Sequence, residues 1–226
     1  NFRRDKIIEI GIRLFRFCPE TGQVLSREQG YSALQDPGFA LSPEIVRITG
    51  ITDDMVKGQS IDWKQVETLL DPVHILVAHN AGFDRPFVDP LVPTSSKKIW
   101  GCSFRQIDWL TKGFPSQKLE ILSIYHGFFC HAHRALADAD TLLHLLGMPD
   151  PLTGAPYLKE LLVNARRRLS HVSATYSPFE TKDVLRERGY RWDTEKRVWS
   201  KVIYAEEQEG ETAWLCEKVY SGKFRG

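Results

Sequence analysis

The sequence has 226 residues, 42% hydrophobic and 26% charged, with a net charge of +1, which excludes a disordered or fibrous chain and leaves a globular one able to bury a core without disulfide staples. So small a net charge also excludes a wholesale polycation, and any anion-binding surface must be local. No apolar run reaches the length of a membrane span, and Cys18, Cys102, Cys130 and Cys216 lack CxxC spacing, which predicts reduced thiols and a cytoplasmic location.

Ile7 to Phe17 is rich in β-branched and aromatic residues and reads as a strand ending at Pro19. Thr21-Gly22 turns the chain, and Gln23 to Tyr31 returns as the second arm of a hairpin. Ser42-Pro43-Glu44 starts a short helix, with serine as N-cap and proline at the first helical position. Ser60 to Leu70 fits an amphipathic helix with Trp63, Val66, Leu69 and Leu70 inward. His74 to Ala78 is a short buried strand, Phe83 to Leu91 a helix with Pro86 in its first turn, and Ile99 to Cys102 another strand. Helical patterns follow at Ser103–Trp109, Lys118–Tyr125 and Arg134–Leu146. Strands alternating with helices in this way predict a three-layer α/β architecture around a mixed sheet.

Tyr157 to Leu169 continues as a helical pattern ending in Arg166-Arg167-Arg168 and is read as a linker. Beyond it, Ser177-Pro178-Phe179-Glu180 forms a capping box whose helix runs to Gly189. Tyr190–Trp192 and Arg197–Ile203 read as a hairpin, and a last helix carries Trp214, Leu215 and Val219. The expected domains are 1–150, a helical linker 151–171, and a small aromatic-rich α+β domain 172–226.

Two segments carry chemistry. His79-Asn80-Ala81-Gly82-Phe83-Asp84 and His133-Arg134-Ala135-Leu136-Ala137-Asp138 both place a carboxylate just past a histidine, where a strand or loop gives way to a helix. Carboxylates held at the ends of rigid elements suit hard cations such as Mg²⁺ or Mn²⁺. A histidine beside them can take a proton from water near neutral pH. This combination points to metal-assisted hydrolysis of a phosphodiester. Asp84 and Asp138 read equally, one at a time, as helix-capping carboxylates. Asp140 lies about 200° around the helix from Asp138. Cys130, His131, His133 and His126 have spacing too irregular for a structural zinc site.

With these segments in view, the chain resembles the DnaQ-like DEDDh 3′–5′ exonucleases. His79-Asn80 and Phe83-Asp84 match that family's second motif, and His133, Ala135 and Asp138 its third. Leu41 to Asp53 looks like the family's segment lining the 3′-terminal nucleotide, and Lys6 to Gly11 like its second strand. The resemblance spans Lys6 to about Gly147. It implies a ribonuclease-H-like mixed sheet flanked by helices, two divalent metal ions (Mg²⁺ or Mn²⁺), and hydrolysis of single-stranded DNA or RNA from a free 3′ end. It makes Asp84 and Asp138 metal ligands and His133 the general base. Ile48, Thr49, Gly50, Ile51, His79, Asn80 and Phe83 become the substrate pocket, although His79 and Asn80 also read as structural hydrogen-bonders and Phe83 as core.

The family's first motif, an Asp-x-Glu on the first strand, should lie shortly before Lys6, yet residues 1–10 hold none. The resemblance therefore implies that two metal-binding carboxylates lie upstream of Asn1, since a sheet without its middle strand would leave backbone groups unpaired. The alternative is a non-catalytic nucleic-acid-binding or scaffold module that keeps the fold. Arg166 to Arg168 reads as a solvated helix end or a phosphate contact. Trp192, Trp199 and Trp214 read as the small domain's core, or, with Arg191 and Arg197, as a base-stacking platform. The choice of DNA or RNA, oligomeric state and any polymerase partnership stay open.

Overall fold

The computed structural model describes residues 5–129 and 134–222. It comprises two compact units that part between Arg166 and Arg167.

In the first unit, β1 (Glu9–Phe17) pairs antiparallel with β2 (Val24–Leu34). The turn between them needs Gly22: its φ is 73°, and a Cβ there would come within 2.5 Å of the Lys159 backbone nitrogen. Three helices follow, α1 (Pro43–Thr49), α2 (Asp53–Val56) and α3 (Trp63–Leu70). Ser42 caps α1 as expected, its hydroxyl accepting from the Ile45 N–H at 3.3 Å. Then β3 (Ile75–Ala78) leads into α4 (Ala81–Val88), and β4 (Ile99–Cys102) runs parallel to β3 before α5 (Ser103–Gln106). α6 (Leu119–Tyr125), α7 (Ala135–Gly147) and α8 (Tyr157–Ala165) complete the unit.

Strand periodicity sorts the side chains into two cores. Ile10 and Ile12 of β1, Tyr31 and Ala33 of β2, Leu76 of β3 and Trp100 of β4 pack with Val66 and Leu70 of α3. Phe15, Phe17, Val24, Ile75 and Val77 point the other way, onto Leu142, Leu145 and Leu146 of α7 and Leu158, Leu161 and Leu162 of α8. Both strand pairs thus lie between the same two helical layers, the three-layer α/β arrangement. Among the described residues, β1 pairs only with β2 and β3 only with β4, so each has an edge with no partner strand.

The linker reading of 151–171 is corrected. Tyr157, Leu158, Leu161 and Leu162 of α8 are fully buried in the first unit's core, because apolar residues at these spacings form one stripe. Nor does the helix reach Leu169: that residue opens β5 (Leu169–Ala174), which pairs antiparallel with β7 (Val198–Tyr204).

The second unit is therefore a three-stranded sheet, order β5-β7-β6, with β6 (Arg191–Asp193) on the other edge. α9 (Lys182–Glu187) and α10 (Gln208–Trp214), the latter continuing as a π-helical turn over Leu215–Val219, supply the helices. Ala174, Leu185, Tyr190, Leu215 and Val219 form the core. The capping box expected at Ser177 does not form. A 3₁₀ turn, Phe179–Thr181, precedes α9 with no side-chain cap. Gly189 at φ 91° ends that helix as its sequence position suggested.

Candidate functional site

β3 delivers the first candidate carboxylate. After Ala78 the chain turns through His79 and Asn80, the latter at φ 74°, a left-handed conformation that asparagine tolerates better than most residues. The Asn80 carbonyl accepts the Phe83 N–H at 2.7 Å and starts α4. His79 holds this junction. Its Nε2–H donates to the Gln117 carbonyl at 2.8 Å, and its Nδ1 accepts from the Ser103 hydroxyl at 2.8 Å. Burial pushes its pKa below the ordinary value, so the ring is held neutral. Both nitrogens are engaged within the protein: His79 ties the β3–α4 junction to α5 and to the loop before α6.

Asp84 sits on the first turn of α4. Burial pushes its carboxyl up to about 6, only its own backbone N–H opposing the rise. Among the described residues no cation pairs with it. Beside it Phe83 is 64% exposed, its ring 5.4 Å from that of Phe87, so it is not the core residue the pattern allowed.

The second carboxylate is placed by β1. Gly11 lets the start of α7 rest directly on the strand: a Cβ there would lie 2.1 Å from the Leu136 backbone nitrogen. Two residues earlier, the Glu9 carboxylate accepts the Ala135 N–H at 2.9 Å and the Arg134 Nε–H at 2.9 Å. It serves as the helix cap that Arg134, at the N-cap position, does not supply. Asp138 stands on the first turn of the helix thus fixed, its N–H donating to the Arg134 carbonyl at 2.9 Å. Asp140, the competing carboxylate, is engaged elsewhere. It accepts from Arg13 Nε at 2.5 Å and pairs with Arg27. Burial raises its pKa, but the two guanidinium groups outweigh that and leave it lowered. His133, the expected general base, lies outside the described residues, as do Cys130 and His131. His126 is structural, its ring nitrogens meeting the Leu122 carbonyl at 2.7 Å and the Tyr157 hydroxyl at 3.0 Å.

The expected nucleotide-lining segment closes α1. Gly50, at φ 67°, donates to the Val46 carbonyl. The Thr49 hydroxyl donates to the Ile45 carbonyl at 2.8 Å and accepts the Ile51 N–H at 3.1 Å, so it is satisfied locally. Ile51 is 1% exposed and anchors the segment in the core, while Ile48, 42% exposed, faces outward. Among the described residues no three His, Cys, Asp or Glu side chains gather into a metal-binding group. Glu9 was the functional support that sequence reading missed, since its partner lies 126 positions away.

Residues 2–146 match the RNase_T family, described as exonuclease. The chain belongs to this exonuclease family. It is 32% identical over 157 residues to the PolC-type DNA polymerase III of Halalkalibacterium halodurans, which takes in 63% of this chain and 10% of that protein. It is 30% identical over 150 residues to the DNA polymerase III subunit epsilon of Treponema pallidum, taking in 62% of this chain and 66% of the relative. The chain thus spans about a tenth of the PolC-type relatives' length. Among solved structures, an exonuclease X in complex with 5′-overhanging duplex DNA aligns at 22% identity with a TM-score of 0.41, covering 69% of this chain and 89% of that one. The α/β class inferred from sequence agrees with the alternating strands and helices of the first unit. Among the described residues no helix is long and apolar enough to cross a membrane.

Proposed function

We propose that the first unit is a divalent-metal-dependent 3′–5′ exonuclease acting on single-stranded DNA or RNA ends. The observation that carries this is Asp84: a carboxylate on a rigid helix start, desolvated and without a cationic partner among the described residues, beside an exposed aromatic ring. An oxygen donor held this way fits a hard cation, which would relieve its desolvation. Asp138, on the first turn of α7, is the second donor, and Asp140 is excluded by its two arginines. The resemblance implies two further carboxylates, and among the described residues β1 and β3 each keep an edge with no partner strand. Bound Mg²⁺ or Mn²⁺ would supply Lewis-acid activation and charge neutralisation at the phosphodiester. His133, five residues before Asp138, would accept the proton of the attacking water. Phe83 and Ile48 would contact the terminal nucleotide. Cytoplasmic localisation belongs to this same reading.

The test is a time course on oligonucleotides labelled at either end, using the intact natural protein with Mn²⁺, with Mg²⁺ and with EDTA. A ladder shortening from the 3′ end, abolished by EDTA and by Asp138→Asn, is expected. Turnover of Asp138→Asn within about threefold of wild type, far short of what a positioned group contributes, sinks the assignment. A folded protein that binds strands without cutting them is instead the non-catalytic module.

A further inference from the structure

The second unit packs some of its aromatic rings in its core and leaves others outside it. Tyr190 and Trp214 stack at 6.3 Å, and Leu185, Leu215 and Val219 close around them. Yet Tyr176 is 97% exposed, Phe179 75% and Trp192 47%. Tyr176 also holds φ at 54°, a strained conformation for a bulky side chain and one that tends to persist where function requires it.

Cations from α9 lie over two rings of this unit. Lys182 Nζ lies 4.2 Å from the centre of the Phe179 ring. One helical turn on, on the same side of α9, the Arg186 guanidinium lies 6.0 Å from the Trp199 ring. Trp199 in turn meets Trp192 edge to face at 5.7 Å across the β7–β6 pair. Ala174, the end of β5, is in register with Trp199, and Tyr176 follows two residues later. Phe179, Trp192, Lys182 and Arg186 thus form a ridge along α9 and the β6–β7 pair, and Tyr176 follows two residues beyond the end of the neighbouring β5. Asp183 pairs with Arg186 at 2.9 Å, but both side chains are about two-thirds exposed, where such a pair is weak and readily exchanged for another anion.

We infer that this ridge is a binding surface for single-stranded nucleic acid, with bases stacking on Tyr176, Phe179 and Trp192 and phosphates meeting Lys182 and Arg186. A single strand offers both a π face and a negative backbone at each nucleotide, which is what an interleaved aromatic and basic surface complements. A duplex keeps its bases stacked inside and offers only the charge. The class of ligand rests on the exonuclease reading of the first unit, but binding is measured without hydrolysis, so the two fail separately.

The experiment is fluorescence anisotropy of a labelled oligothymidylate with the whole chain in EDTA, titrated with NaCl. Y176A/F179A removes two solvent-exposed rings, and circular dichroism checks that the fold is kept. It is expected to weaken binding by about tenfold or more. K182Q/R186Q is expected to flatten the slope of log affinity against log salt by about 1.4, two phosphate contacts' worth for a single strand. L152A, at an exposed site of the first unit, is expected to change nothing. Wild-type affinity in Y176A/F179A, a wild-type salt slope in K182Q/R186Q, or equal binding of blunt duplex overturns the inference.

Discussion

Asp84 and His79 lie five positions apart, and burial moves their pKa values in opposite directions. The Asp84 carboxyl is raised to about 6, so the folded chain holds its proton where the unfolded chain has lost it. Stability contributed by that proton is full below the ordinary carboxylate range and is lost as pH rises through about 6. At neutral pH the charged Asp84 is then a standing cost to the metal-free fold, of roughly 1–3 kcal/mol. Asp84→Asn should raise the melting temperature of the metal-free protein at neutral pH and remove the further rise that Mn²⁺ gives the wild type. A lower melting temperature for the variant, or an undiminished Mn²⁺ effect, contradicts the ligand assignment. His79 works with the opposite sign. Its lowered pKa means that the unfolded chain takes up the proton first, so acidification below the ordinary histidine range destabilises the fold. His79→Gln, which cannot titrate, should lose that part of the acid sensitivity, read as a flatter melting temperature against pH. Both carboxylates were legible because motif spacing places them at helix starts. Which groups His79 would engage was not, because Ser103 and Gln117 lie 24 and 38 positions away.

Among the elements, α7 shows how a strand can set a helix. Its start rests on Gly11, where a Cβ would fall 2.1 Å from backbone, and its first N–H, that of Ala135, is met by Glu9. Backbone cannot give way as a flexible side chain could, so Gly11→Val must push α7 off β1 or bend the strand. We expect a loss of about 2–4 kcal/mol in chemical denaturation, an overpacking penalty enlarged by the rigid contact, and a fall in nuclease rate larger than the fall in folded fraction, since Asp138 moves with the helix. Glu9→Gln should be milder, about 0.5–2 kcal/mol, because the amide oxygen still accepts while the charge facing Arg134 is gone. Denaturation midpoints that leave Gly11→Val as stable as wild type would show that α7 is free to shift. Elements whose signal is local were readable: β4 spans the same Ile99–Cys102 that its sequence marks. β5 was not, because its outward positions carry Leu169, His171 and Ser173 and its inward ones Ser170, Val172 and Ala174, with too little hydropathy contrast for a period of two. The preceding arginines then made the stretch look like a helix end. Nothing local could announce that β7 would pair with it.

At the scale of the whole chain, each unit has a core of its own, and the two differ in how much they can lose. The first buries two clusters on opposite sides of its strand layer. The second, Arg167–Gly226, rests on a single small one, and domains of that size bury a smaller share of their surface and are marginal. Near this core Glu211, 5% exposed, receives Arg188 at 3.1 Å and Lys201 at 3.3 Å. Burial raises its pKa, but the two cations outweigh that and leave it lowered, so acid that protonates Glu211 leaves them without a partner. Leu185, on α9, is fully buried in this core. Leu185→Ala should cost about 2–5 kcal/mol, the transfer of the lost atoms plus the cavity left behind, which is most of what a unit so small has. The expected outcome is two unfolding transitions, the lower moved down or lost in the variant and the upper unchanged. Hydrolysis of a small thymidine monophosphate ester by the first unit should persist at wild-type rate. The measurement is calorimetry beside an ester assay on the same samples. If one transition absorbs the whole loss, or ester hydrolysis falls with it, the two units are not independent and the first depends on the second for its fold.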